Sequence, residues 1–229
     1  METKETLQGF RVSGLEMEEK TEIKNRILKA AYELFKKFGF RSISMDDIAR
    51  QLGMSKKTLY QSFADKDEIV TLAMEEYIAH QEEELKELRA HTTDAIDFLV
   101  RMNETLTRNI KDTNTALVHE LKKYHAHAWS LIEKFRNEFL FTIIVDDLQS
   151  GIREGNFRSD FNPHVIAKVR LEETSLALDD NVFPKDEFNF GEVSLALLDH
   201  FMHGITTDKG KKIYNQYKSQ NQNNLITSV

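Results

Sequence analysis

Within the seven positions from Ser55 to Gln61 the chain sets two ammonium groups, three hydroxyls and a carboxamide: Ser55, Lys56, Lys57, Thr58, Tyr60 and Gln61. Only Leu59 interrupts them. These groups suit a polyanion. Lysines displace condensed counterions, and serine, threonine and tyrosine hydroxyls bond phosphate oxygens. A helix opening at Ser55 adds unpaired backbone N–H groups and a partial positive charge. Lys57, Thr58 and Gln61 carry the donors and acceptors needed to read base edges in a major groove. Lys24, Ser44 and Lys66 extend the candidate set, the two lysines as grips on flanking phosphates.

The elements that must position this group are legible around it. "TEIKNRILKAAYELFKKFGF" predicts a first helix with Thr21 as N-cap and an apolar stripe of Ile23, Ile27, Ala31, Leu34 and Phe38. Gly39 suits the left-handed position that ends a helix, with Phe40 folding back onto the last turn. Ser44 and Asp47 form a capping-box pattern for a second helix, which Gly53 must end near Leu52. Ser55 caps a third helix from Lys56 to about Phe63, and Asp65 caps a long fourth one. Ile48, Leu52, Met54 and Leu59 are apolar, and Ala49 permits close approach of a neighbour. Two short helices meeting at a glycine turn, the second presented outward, is the helix-turn-helix layout. Capping serines and paired lysines are each common in an ordinary solvated hairpin. Their conjunction with Ala49, Gly53 and the spaced apolar residues is more specific.

Charge is divided in the same way. The 229 residues carry a net charge of −7, yet residues 21–68 hold ten Lys and Arg against seven Asp and Glu. From residue 69 onward eighteen basic residues face twenty-six acidic ones. A cationic unit is joined to a larger acidic one, which suggests divided labour. Two prolines, nine glycines and apolar residues at helical spacing point to an all-α fold. The expected organisation is a flexible leader (1–20), a DNA-binding unit (21–68, its helix-turn-helix about 44–63), a larger helical ligand-binding and dimerisation domain (69–220) and a flexible polar tail (221–229). In the larger domain, helices are expected from Asp94 to about Ile110 and over "TNTALVHELKKY". A long one follows over "HAWSLIEKFRNEFLFTIIVDDLQSGIREG", one is capped by Asn162-Pro163, and two more run to the tail.

The stretch "ILKAAYELFKKFGFRSISMDDIARQLGMSKKTLYQSFADKDEIV" resembles the DNA-binding domain of the TetR-type (TetR/AcrR) transcriptional regulators. The resemblance covers roughly Thr21 to Ala79, through the AAxxLF-like first helix, the glycine after it, the "IA" of the second helix, "TLY-x-x-F" and the lysine of "DKDEI". It implies that Tyr60 and Lys66 contact phosphates and that Thr58 lies in the recognition helix. Lys57 departs from the small residue often found at its position. Beyond this unit the likeness is one of architecture and of two phrases, "DDLQSGIREGNFRSDFNP" and "FMHGITTDKGK". It implies a ligand-responsive repressor that binds a palindromic operator as a homodimer and is released by a small-molecule effector.

Two further residue sets follow from that expectation. Phe98, Met102, Trp129, Ile132 and Phe139 are candidates to line an apolar effector cavity. Val169, Leu176, Leu197, Leu198, Phe201 and Ile205, on the last two long helices before the tail, are candidates for the dimer interface. Monomer core is the plain alternative for both sets.

Other chemistries find little support. Cysteine is absent, which removes disulfides, thiolate metal sites and cysteine nucleophiles. His119, His125 and His127 lack the i,i+4 partner of a helical zinc motif, and His200 and His203, one turn apart, lack an identified third ligand. Asp146 and Asp147 point about a hundred degrees apart on a helix, unsuited to paired acid–base work. No nucleophile elbow, phosphate loop or dinucleotide fingerprint is present. The expected protein is therefore not an enzyme and needs no cofactor or metal. Without a signal-peptide core or a bilayer-length apolar run, the expected location is cytoplasmic, with no membrane partner. The rival classes are a helical protein-interaction module with a degenerate helix-turn-helix and, more distantly, a histidine-dependent metalloenzyme.

Overall fold

The structure, a computed structural model, describes residues 4–110 and 116–226. It is all-α. The helices are α1 (Lys4–Phe38), α2 (Met45–Gln51), α3 (Lys56–Ser62), α4 (Lys66–His91), α5 (Ala95–Ile110) and α6 (Ala116–Tyr124). They continue as α7 (Ala126–Lys134), α8 (Phe141–Arg153), α9 (Pro163–Ala177), α10 (Phe190–Ile205) and α11 (Asp208–Ile226). A π-helical stretch, Phe135–Leu140, joins α7 to α8. Among the described residues, none of these helices is long and apolar enough to cross a membrane.

The chain divides into two compact units. One is Met1–Tyr77 with Asn114–Leu131, the other Ile78–Thr113 with Ile132–Val229. In the first, Ile27, Ala31 and Phe35 form the inward line of α1, and Ile48 and Leu59 complete the core, each with no exposed surface. The sequence stripe needs two amendments here. Phe38, assigned to the core, is 46% exposed, because α1 ends there and Gly39 (φ +84°) turns Phe40 inward instead. Phe40 is fully buried, 5.0 Å from the Phe35 ring. Thr21 is no N-cap either, since α1 begins at Lys4 and runs through the stretch expected to be a leader.

The second unit packs α5, α8, α9, α10 and α11 about one apolar cluster that includes Ile96, Leu99, Leu148, Leu171, Leu198 and Met202. The expected single long helix over residues 127–155 is instead interrupted, with Phe135 and Phe139 stacked at 5.6 Å in the π-helical stretch. Between Phe135 and Leu140 no residue is fully buried, whereas Ile144, Val145 and Leu148 are. The two sequence phrases noted above meet each other. Phe157 bridges to Thr206, and the Thr207 amide donates to the Asn156 carbonyl at 2.9 Å. Gly151 leaves room for the Phe157 ring, and Gly210 for the Asn156 carbonyl, where a Cβ would overlap either one.

Asp147 lies inside this unit with its side chain fully buried, ion-paired to the partly exposed Arg89 of α4. Burial, only partly opposed by Arg89, pushes its carboxyl up to about 8. The carboxyls of Glu154 and Asp94 act in the same direction as burial. A carboxyl with a raised folded pKa binds more proton when folded than when unfolded. Its contribution to stability is therefore complete at acid pH and is lost as pH rises from the ordinary carboxylate range toward 8. Thermal midpoints recorded between pH 5 and pH 8.5 should fall less steeply for Asp147→Asn than for the unaltered protein.

Candidate nucleic-acid interface

The scaffold is built by two serine caps and one left-handed glycine. The Ser44 hydroxyl accepts from the Asp47 amide at 3.2 Å, and the Asp47 carboxylate accepts from the Ser44 amide at 2.9 Å. Donation to it from the Ser44 hydroxyl, and then from the Ser44 amide, holds the Asp47 carboxyl below the usual carboxylate range. After α2, Gly53 adopts φ +64°, and the Met54 amide closes the turn onto the Ala49 carbonyl at 2.9 Å. Ser55 then caps α3 by accepting from the Thr58 amide at 3.1 Å. Ile48 and Leu59 are both fully buried, so the two helices are held by the faces that the apolar spacing indicated.

The nine sequence candidates separate into three groups. Lys57, Tyr60 and Gln61 lie on the exposed side of α3, with 47% of Tyr60 accessible. Ser44, Ser55 and Thr58 are spent mainly on structure. The Ser44 hydroxyl donates to Asp47, and the Ser55 and Thr58 hydroxyls bond each other at 2.8 Å. The three lysines at the edges are each held. Lys56 pairs with Asp46 across the turn at 2.7 Å, which raises its pKa. The Lys24 ammonium stands 5.7 Å above the Phe63 ring. Lys66 turns inward and donates to the Phe40 carbonyl, and its half-buried ammonium is lowered in pKa by desolvation.

Sequence reasoning missed the partners that set these positions. Asp46 and Lys56 sit on different helices, so no local period links them. The same holds for α6 and the start of α7, which belong to this unit. Glu120 accepts from the Arg41 amide at 3.1 Å, His125 meets Asp67 at 2.5 Å, and the Arg41 guanidinium lies 5.1 Å from the Tyr124 ring centre. Among the described residues, no three His, Cys, Asp or Glu side chains converge as a metal site.

The cavity candidates do not form one group. Trp129 belongs to the first unit, where the Lys122 ammonium lies 5.8 Å from its ring, while the other four belong to the second. Phe98 is fully buried beneath the Arg89 guanidinium. Met102 packs on the core cluster, Ile132 is half-buried, and Phe139 is stacked on Phe135. Of the interface candidates, Leu198, Phe201 and Ile205 are core residues, turned inward by packing against α5 and α9. Val169 and Leu176 are exposed and Leu197 is half-buried. The apolar surface of α9 and α10 is formed instead by Val165, Val169, Leu176 and Leu195.

Comparison with known proteins agrees with this geometry. Residues 27–73 match the sequence model for bacterial regulatory proteins of the tetR family. Residues 27–73 thus form a DNA-binding unit of the tetR-family type. YvaF of Bacillus subtilis, an HTH-type transcriptional regulator, is 29% identical over 185 residues, covering 80% of this chain and 96% of its own. A TetR-family regulator from Agrobacterium tumefaciens shares the fold with a TM-score of 0.68 at 18% identity, over 82% of this chain and all of its own. A transcriptional regulator from Saccharomonospora viridis, crystallised with choline, has a TM-score of 0.69 at 21% identity, over 82% of this chain and 99% of its own. The matched residues contain the DNA-binding helix-turn-helix formed by α2 and α3.

The inward turn of Lys66 separates a bracing role from a phosphate contact. Loss of a partly buried, charge-assisted hydrogen bond costs about 1–3 kcal/mol. Lys66→Met is expected to lower stability by that order in urea unfolding, and not merely to weaken DNA retention.

Proposed function

We propose that the chain is a ligand-responsive repressor that binds a palindromic operator as a dimer and is released by a small-molecule effector. The observation that carries the proposal is the outward set of Lys57, Tyr60 and Gln61 on a helix whose opposite side is sealed by Leu59. Tyr60 and Lys57 supply phosphate contacts, and Gln61 and Lys57 address base edges. One such helix reads only a few base pairs, and a two-fold related copy doubles the site at a spacing of about one helical turn.

Two features support the remainder of the reading. The exposed Val165, Val169 and Leu176 follow helical spacing along α9, with Leu195 on the adjacent α10, an apolar surface suited to a second copy of the chain. The larger unit is where an effector would bind; the Saccharomonospora viridis regulator, which shares this fold, was crystallised in complex with choline. Coupling would pass through α4, which contributes residues to both units. A coupling free energy of about 1–3 kcal/mol changes operator affinity roughly 5–150-fold.

Genomic fragments captured by the purified protein supply the duplex for a direct test. Retention in gel-shift assays should weaken steeply as salt rises. Lys57→Ala should reduce the salt slope or relax specificity, and Gln61→Ala should cost about 1–3 kcal/mol at a defined base pair. Salt-independent retention, or none, would instead favour a protein-interaction module. For assembly, sedimentation should show a dimer that the double variant Val169→Asp, Leu195→Asp converts to monomer.

A further inference from the structure

The interior of the larger unit holds a guanidinium with too few acceptors. Arg170 of α9 is 3% exposed and Asn103 of α5 is 1% exposed. Arg170 Nη2 donates to Asn103 Oδ1 at 2.6 Å, and the Ser194 hydroxyl of α10 donates to the same oxygen at 3.1 Å. Thr107 Oγ1 donates in turn to the Ser194 hydroxyl at 3.4 Å. Arg170 Nη2 gives the Asn103 amide one satisfactory orientation, since a flip would set the guanidinium N–H against the NH2 group. Among the described residues no acceptor reaches Asn103 Nδ2 or Arg170 Nε.

The balance of charge points the same way. The carboxylate beside Arg170 is Glu173, whose approach to Nη1 is a long 3.4 Å. Burial raises the Glu173 pKa, with Arg170 and His200 opposing that shift, so the pair is a weak neutraliser. Burial lowers the Arg170 pKa, opposed first by Glu173 and then by Tyr214, burial being the larger. A core that served packing alone would satisfy these donors or omit them. The cluster instead holds a cation and unspent N–H groups beside the apolar core. The Phe201 ring lies 5.5 Å from the guanidinium, while Leu99 and Leu198 stand one helical turn from Asn103 and Ser194 and belong to the core cluster.

We propose that Arg170 and Asn103 anchor the carboxylate of an apolar organic acid, the effector class of this regulator. The inference rests on the ligand-responsive reading above and specifies its chemistry. Arg170 Nε and Asn103 Nδ2 donate to the carboxylate oxygens, Arg170 Nη2 holds Asn103 in its donating orientation, and the apolar neighbours receive the hydrocarbon body. A cationic ligand such as choline is disfavoured here, because it would face a buried guanidinium.

The test uses the full chain with benzoate and octanoate as probes, benzamide and octanol as neutral counterparts, and inorganic phosphate as a small-anion control. Binding is read from the thermal midpoint and from the Arg170 Nε–H resonance of 15N-arginine-labelled protein, assigned by Arg170→Lys. At least one carboxylate should raise the midpoint by several degrees and move that resonance, while its neutral counterpart and phosphate do neither. Arg170→Met and Asn103→Leu, apolar replacements of similar size, should each weaken that binding at least tenfold with the fold retained by circular dichroism. The proposal is overturned if neither carboxylate acts, if phosphate acts equally, or if both folded variants bind as the unaltered chain does. Release of the operator by a neutral compound, with both acids silent, would overturn the anchor and leave the ligand-responsive reading standing.

Discussion

The close crossing of α2 and α3 is the constraint on which the proposed DNA-facing surface depends. It exists because Gly53 adopts a left-handed conformation at little cost and because Ile48 and Leu59 are completely withdrawn from water. With Leu59 inward, helical geometry leaves Lys57, Tyr60 and Gln61 on the other side of α3. The serine caps secure the starts of two seven-residue helices that would be marginal alone. The exposed face of α3 is thus a consequence of what is buried beneath it. Its side chains contribute little to holding it in place.

Around that crossing, the lysines show how tertiary position changes the use of one side chain. Lys57 remains outward and available. Lys56 is held by Asp46, Lys24 lies over an aromatic ring, and Lys66 serves the carbonyl end of the α1 turn. Four ammonium groups of the same intrinsic chemistry therefore have four different environments. The neighbouring α6–α7 segment adds Glu120, Tyr124 and His125 to the same corner, so residues distant in sequence help fix the α1–α2 turn.

The larger unit concentrates its unusual chemistry in two buried polar clusters. Asp147 with Arg89 and Arg170 with Asn103 and Glu173 each place charge where desolvation is expensive. The first joins α4 to α8, and the second joins α5, α9 and α10. An apolar core of the same volume would be simpler to stabilise, which is why the unspent donors of the second cluster carry functional meaning.

Much of this was legible in the chain itself. Capping serines, left-handed glycines, Asn162-Pro163 and the α1–α3 apolar spacing are local signals, because each acts through bonds within a few residues or through helical period. The all-α class and the helix-turn-helix follow from them. Phe38 shows where period misleads: it lies on the apolar stripe, yet the helix ends beneath it and Phe40 takes the core position. The division of α9–α10 residues into core and surface was not legible, since both faces of those helices are apolar and only packing against α5 distinguishes Leu198 from Leu195. The sequence alone determined the all-α pattern, the caps at Ser44, Ser55 and Asn162, and the residue types offered to a polyanion. Tertiary structure decided which lysines remain available, which apolar residues are covered and which buried donors lack acceptors, because those outcomes depend on distances between segments that no local pattern encodes.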